Sequence, residues 1–293
     1  MTKNSLIILA AYWNEKELIE PSLAQIDAID PAEVIISEGN FDPSKERKSS
    51  DGTREVIKEF VDKRDNVKLV SAKRPSRANG VYEIAKGLPR HTLRNLLSIP
   101  RWVATYASCK TAAYRLNQAV TFNHMASISD EWQPGKWVMT YDADQFYSDE
   151  MIEKLSITNS ETEVGLLTGT ELTFFNSFDE YTLEYEKRGY SNMPHKIYSD
   201  TFIRPTRGIC LDGGTRTDKS LNDKVYNHHY VDHDVGTAHI GKYHHYKIPD
   251  IDPERFQQGY ELGDRTKPGL DNYEMREFTG DYPEVIKDYY DIE

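Results

Sequence analysis

Short unbroken apolar runs separated by stretches of helical periodicity dominate the first half of the chain. Leu6–Ala11, Val34-Ile35-Ile36, Val67-Lys68-Leu69-Val70 and Trp137–Tyr141 read as four buried parallel strands. Between the first two, Leu18, Ile19, Leu23, Ile26 and Ile29 recur at helical spacing, predicting a helix over Glu15–Ile29. Asp51-Gly52-Thr53 opens a second helix through Phe60, with Val56, Ile57 and Phe60 as its apolar stripe and Asp51 as a cap. Arg101–Phe122 has good helix formers and few breakers, after Pro89 and Pro100. Ser148–Leu155 is also helix-like. Beyond it, Val164–Thr168 and Glu171–Phe175 read as two strands and Thr182–Arg188 as a helix. Met193–Ile248, rich in Gly, Thr, Tyr and His, predicts short strands and loops.

Strands alternating with helices at this spacing predict an α/β fold with a mostly parallel sheet flanked by helices. No repeat or low-complexity linker divides the chain. The expected organisation is one domain over 1–248, containing a helical insertion at 71–136, and an irregular C-terminal extension at 249–293.

Charge sharpens that division. The 293 residues carry a net charge of −12, but residues 73–115 hold nine basic groups against the single acid Glu83. Residues 249–293 hold thirteen acids against five bases, so the tail supplies most of the negative balance. The basic stretch could hold phosphates or be a solvated helix face. Cys109 and Cys210 provide neither a disulfide framework nor zinc spacing. No apolar run is long enough to span a membrane, and the first one suits a strand better than a signal peptide. A cytoplasmic setting is expected.

Candidate chemistry centres on Asp142-Ala143-Asp144, at the end of the Trp137–Tyr141 run. On an extended strand, side chains at i and i+2 share a side. The two carboxylates are therefore expected to converge on a hard divalent cation, which could hold a diphosphate. Six of the nine histidines lie between His228 and His245, without zinc-finger spacing. Asp212-Gly213-Gly214 is a turn signal.

These residues resemble the family-2 glycosyltransferases. Leu6–Ala11 followed by Tyr12-Trp13-Asn14-Glu15 is similar to that family's first strand and Tyr-Asn-Glu turn. Ser37-Glu38-Gly39 with Ser50-Asp51-Gly52-Thr53 resembles its Asp-Asp-Gly-Ser…Asp-Gly-Thr segment, and Thr140–Asp144 its Asp-X-Asp motif. The likeness covers roughly residues 5–155. It departs from the family at Ser37, in the ten residues Asn40–Ser49 that split the second motif, and in the 66-residue stretch 71–136, a candidate acceptor region.

The resemblance implies a GT-A fold and an inverting glycosyltransferase that needs Mn2+ or Mg2+ and a nucleotide-diphosphate sugar, with UDP as the default. It implies Asp142 and Asp144 as metal carboxylates, with His239 completing the shell from a His-hydrophobic-Gly element. Ala11, Tyr12, Glu15, Glu38, Arg115, Asn117 and Asp142 would lie about the nucleotide. Glu38 could equally cap the turn after its strand, and Tyr12 could equally be core. Glu171 or Asp212 would be the base that deprotonates the acceptor hydroxyl. The acceptor could be a glycan, a lipid-linked glycan, a protein side chain or, as in phage-type DNA glucosylation, a modified base. A non-catalytic nucleotide- or glycan-binding protein is the rival outside enzymology. A nucleotidyltransferase would need a Gly-rich loop, and Tyr12–Lys16 contains no glycine.

Overall fold

A computed structural model describes residues 4–76, 79, 112–132, 136–156, 166–174, 177–182, 197–199, 237–246, 248 and 275–292. Four parallel strands form its heart: β1 (Leu6–Tyr12), β2 (Glu33–Glu38), β3 (Val67–Ser71) and β4 (Trp137–Tyr141). They lie in the order β3-β2-β1-β4. β1 is hydrogen-bonded along both edges, matching Ile8 with Val34 on one side and Met139 on the other. Both of its faces are buried: Leu6, Ile8 and Ala10 join the main apolar cluster, while Ile7 and Leu9 lie buried on the opposite face. A strand covered on both faces has no polar positions to alternate, hence the unbroken apolar run.

Helix α1 (Ile19–Ile29) returns the chain from β1 to β2. It starts four residues later than the periodicity predicts, because Glu15–Leu18 forms a turn in which Leu18 and Ile19 N–H donate to the Glu15 carbonyl. Pro21 fits because it falls in the first helical turn, where no intrahelical N–H is needed. Asp30, at φ 49°, ends the helix. Asn4 Nδ2 donates to the carbonyls of Ile29 and Leu155 at 3.0 and 3.1 Å, tying two helix ends to the entry of β1. Helix α2 (Thr53–Asp62) joins α1 in the same cluster through Ile57 and Phe60. Helix α3 (Ala112–Ser127) touches β1 and β2. It lies within the expected helical insertion at 71–136, of which residues 80–111 lie outside the described residues.

The second half departs further from expectation. Gln145–Tyr147 forms a short strand, β5, before α4 (Asp149–Ser156). Leu166–Phe174 is one strand, β6, where two were expected. Thr182, expected to begin a helix, ends β7 (Glu180–Thr182). β8 (Ile197–Ser199) joins β4 to β6 with antiparallel pairing on both sides. β9 (Thr237–Tyr246) is ten residues long and lies between β6 and β5, parallel to the first and antiparallel to the second. In the acidic tail, β10 (Arg276–Glu277) pairs with β7, and α5 (Glu284–Tyr290) packs on α1. The described fold is thus α/β, a four-stranded parallel sheet with flanking helices and an antiparallel flank. Among the described residues no helix is long and apolar enough to cross a membrane.

One irregularity sets the flank. Thr168 stands opposite His239 and Gly169 opposite Gly241, so Ile240 is an extra residue on β9. Gly241 has φ 150°, and a Cβ there would lie 3.0 Å from Met151 Cβ. The bulge brings Tyr243 opposite Glu171 and His245 opposite Thr173. Without the extra residue, Lys242 and His244 would occupy those positions, and every later side chain of β9 would change faces.

His244, on the other face, shows what this register costs and gains. Its ring lies 5.0 Å from those of Phe174 and Phe278, and Nδ1 shares a 2.8 Å hydrogen bond with the Tyr246 hydroxyl. Burial, with help from Lys242, pushes its pKa from 6.5 down to about 3. The folded imidazole stays neutral while the unfolded one takes a proton below 6.5, so stability should fall as pH drops through the window from 6.5 to about 3. We predict that His244→Phe removes this one-proton dependence. Urea unfolding across that window should show the wild-type slope exceeding the variant's by up to about 1.4 kcal/mol per pH unit; parallel slopes would refute it.

Candidate functional site

The strand order reverses at β1. The chain proceeds outward from β1 to β2 and β3, then returns to place β4 on β1's other edge. The crevice beyond the carboxyl ends of β1 and β4 is where open parallel sheets bind ligands, because the connections leave in opposite directions there. Tyr12 ends one strand, and Asp142 follows the end of the other.

Asp142-Ala143-Asp144 forms a turn rather than a continuation of β4. The expected strand alternation therefore does not apply. Asp142 is half-buried, whereas Asp144 is 2% exposed. The turn is short because β5 begins at once, with Gln145 N–H donating to the Asp142 carbonyl at 3.4 Å. Gln145 Nε2 reaches within 3.5 Å of Asp142 Oδ2.

A polar side chain inside α1 holds this turn in place. Gln25, fully buried, donates from Nε2 to the Gln145 carbonyl at 3.0 Å and to the Tyr141 hydroxyl. Its Oε1 accepts from Tyr147 N–H at 2.6 Å. Residues on both sides of the Asp142–Asp144 turn are thereby fixed by one amide. Burial raises the Tyr141 and Tyr147 phenols well above their ordinary range, so both hydroxyls stay neutral.

The antiparallel flank completes the cluster. Asp144 C=O accepts from Tyr246 N–H at 2.9 Å, one step beyond the β5–β9 pairing. On β9, His245 Nε2 lies 2.8 Å from Asp144 Oδ2, and its Nδ1 lies 2.7 Å from Glu171 Oε1. Glu171 Oε1 also accepts from Thr173 Oγ1 at 2.9 Å, and Oε2 from the Tyr243 hydroxyl at 2.7 Å. Three elements thus meet: the turn after β4, β6 and β9.

The imidazole is bracketed by two carboxylates. A neutral ring has one donor and one acceptor nitrogen. An imidazolium would donate to both sides; a neutral ring with its proton on Nδ1 would turn the Nε2 lone pair toward Asp144, a pair suited to a shared cation. Asp142 and Asp144 carry carboxylate oxygens, the ligand type that hard divalent cations take, and the His245 imidazole is a softer ligand beside them. Among the described residues no group of three His, Cys, Asp or Glu side chains is already gathered for an ion.

The structure sorts the other expected site residues by their surroundings. Tyr12 is 1% exposed, shares a 2.9 Å hydrogen bond with Ser22 Oγ, and has its phenol pushed well up by burial, so its ring is part of the core. Glu38 Oε1 accepts from Ser49 N–H at 2.7 Å and Oε2 lies 3.7 Å from Arg54, so it fastens the loop that follows β2. Ala11 lies near the end of β1, opposite Ser37. Glu15 is buried, its N–H donating to Thr53 Oγ1 at 2.8 Å. Asn117 Nδ2 donates to the Phe41 carbonyl at 2.7 Å, tying α3 to the same loop. Arg115 lies on α3 and His239 on β9, opposite Thr168, each described by its backbone alone. Asp212 lies outside the described residues.

The ten-residue split in the second motif closes up in space. Gly39 turns the chain at φ 125°, with Arg47 O so close that a Cβ would come within 2.5 Å of it. The chain returns at Ser49, whose hydroxyl accepts from Asn14 N–H at 3.0 Å. Ser50 N–H donates to Asn14 Oδ1 at 3.0 Å, and Asp51 accepts from Lys16 and Thr53 N–H at 2.9 and 3.0 Å. Asp51 therefore stitches the first turn to the start of α2.

His245 was hidden in the sequence by its neighbours. Tyr243 and His245 share a face by simple alternation, but which face meets Glu171 depends on the bulge at Ile240. We predict that Gln25→Leu, which strips the Tyr147 N–H and Gln145 carbonyl of their partner, lowers stability by about 2–5 kcal/mol. Chemical denaturation measures this, and a loss under about 1 kcal/mol would mean the amide is dispensable. A scan of protein-family models finds no match to this chain, and neither does a search of curated proteins.

Proposed function

We propose that this protein is a metal-dependent glycosyltransferase of the GT-A type, using a nucleotide-diphosphate sugar, UDP-linked by default. The observation that carries the reading is the position of Asp142-Ala143-Asp144, at the carboxyl end of β4 beside the reversal of strand order. A carboxylate turn at that edge, beside an imidazole, offers ligand atoms to a divalent cation, and the cation in turn would hold a diphosphate.

Asp142, Asp144 and His245 would hold manganese or magnesium, which would offset the charge building on the departing nucleoside diphosphate. His245 takes the part first expected of His239, because its ring meets Asp144. Glu15, and the backbone where β1 and β2 end, would border the nucleotide. Both oxygens of Glu171 are engaged by donors from β6 and β9, which suits a holding role better than proton removal. Asp212 remains the candidate base, and the basic stretch at 73–115 the candidate acceptor region.

A thermal-shift screen of UDP, GDP, dTDP and CMP, each with and without manganese, tests the reading on wild type and Asp144→Ala. We expect one nucleotide to raise the melting temperature by a few degrees, which corresponds to about 2.7 kcal/mol at a hundredfold excess over Kd. The shift should need both manganese and Asp144. Stabilisation independent of metal and of Asp144 would favour a nucleotide-binding protein without transferase chemistry. No shift with any nucleotide would remove the basis for the enzyme.

A further inference from the structure

Glu171 lies on β6, away from the Asp-X-Asp turn in sequence, yet it touches an imidazole that touches Asp144. We propose that Glu171 is a positioning residue: it fixes the orientation and tautomer of His245 so that Nε2 faces Asp144. In its function the proposal rests on the metal-dependent reading above.

Three features support it. First, Glu171 is directed at Nδ1 by its own restraints. Thr173 Oγ1 holds Oε1 at 2.9 Å and the Tyr243 hydroxyl holds Oε2 at 2.7 Å, so the carboxylate has little freedom to swing elsewhere. Second, those partners come from the register itself. Tyr243 stands opposite Glu171 and His245 opposite Thr173, so four side chains of one sheet face meet at the Glu171 carboxylate. Third, the set is nearly dry. The side chains of Glu171 and His245 are 6% and 10% exposed, and that of Asp144 is 3%. Water therefore competes poorly for the ring's hydrogen bonds: Glu171 favours a proton on Nδ1, and a cation shared by Asp144 and Nε2 would leave Nδ1 as the protonated nitrogen. A carboxylate behind a ligating histidine orients the ring and strengthens it as a donor.

The bulge at Ile240 gives the arrangement its specificity. A strand without it would put Lys242 in place of Tyr243 opposite Glu171 and His244 in place of His245 opposite Thr173, so the carboxylate would lose the tyrosine hydroxyl that holds Oε2. Gly241, at φ 150° against Met151, is the residue that permits the bulge.

The test combines two measurements on the full chain. Nitrogen-15 NMR of histidine-labelled, metal-free protein reads the His245 ring, with His245→Asn assigning its signals. Titration with manganese chloride, followed by electron paramagnetic resonance, reads binding of the metal alone. We expect wild type to show a slowly exchanging Nδ1 proton on His245 and Glu171→Ala to lose it. Manganese binding should weaken about ten- to a hundredfold in Glu171→Ala. Glu171→Gln, which retains an acceptor oxygen, should fall between the two. If Glu171→Ala fails to fold, Glu171→Gln and Tyr243→Phe carry the comparison, each expected to speed exchange of that proton. Unchanged His245 ring signals in the folded variants would overturn the proposal, whatever manganese does. A wild type that shows the Nδ1 proton but binds no manganese would leave the positioning intact and reject the metal reading instead.

Discussion

Everything in this fold hangs on the double pairing of β1. Its backbone is hydrogen-bonded to β2 and β4 at once, and its side chains are buried on both faces. A strand so placed can satisfy its peptide groups only through those two ladders, because water reaches neither edge. Moving β4 to any other edge would leave β1's amides unpaired and would also abolish the reversal of strand order. The same hydrogen bonds that stabilise the sheet therefore create the crevice beyond its carboxyl ends.

A second requirement is that the turn after β4 be rigid. The Asp142–Asp144 turn bends sharply into β5, and isolated acidic turns of that kind would be mobile and solvated. Gln25 prevents this from within α1, where a polar residue in a buried position would ordinarily be a liability. It is tolerated because both ends of its amide are satisfied, by the Gln145 and Tyr147 backbone after the turn and by the Tyr141 hydroxyl before it. α1 thus serves both as the cover of the parallel sheet and as the clamp on the candidate site. The cluster of Asp144, His245, Glu171 and Tyr243 extends that rigidity to the antiparallel flank.

Much of the parallel half was legible beforehand. The Trp137–Tyr141 strand matches its predicted bounds, and β1, β2, β3 and α2 differ by a residue or two, because unbroken apolar runs and helical stripes are local signals. The apolar periodicity places the start of α1 four residues early, because Glu15–Leu18 makes a turn that leads into the helix. β5, of three residues, has no period to detect, and the long strands β6 and β9 are interrupted by glycines that suggested loops. The candidate site divides in the same way. Residue type and place in the sequence point to Asp142, Asp144 and Glu171, and the family resemblance to His239; neither signals the contact of His245 with Asp144.

What the sequence by itself determined was which segments bury themselves and where the acidic turn falls, since both follow from residue type and short-range spacing. Which side chains meet was left to the tertiary structure. The register of β9 against β6 depends on one extra residue at Ile240, and that register gives His245 to Glu171 and Asp144 while consigning His244 to an aromatic core. Two adjacent histidines receive opposite environments because side chains alternate along a strand. Only the pairing of distant strands decides which of the two faces the site.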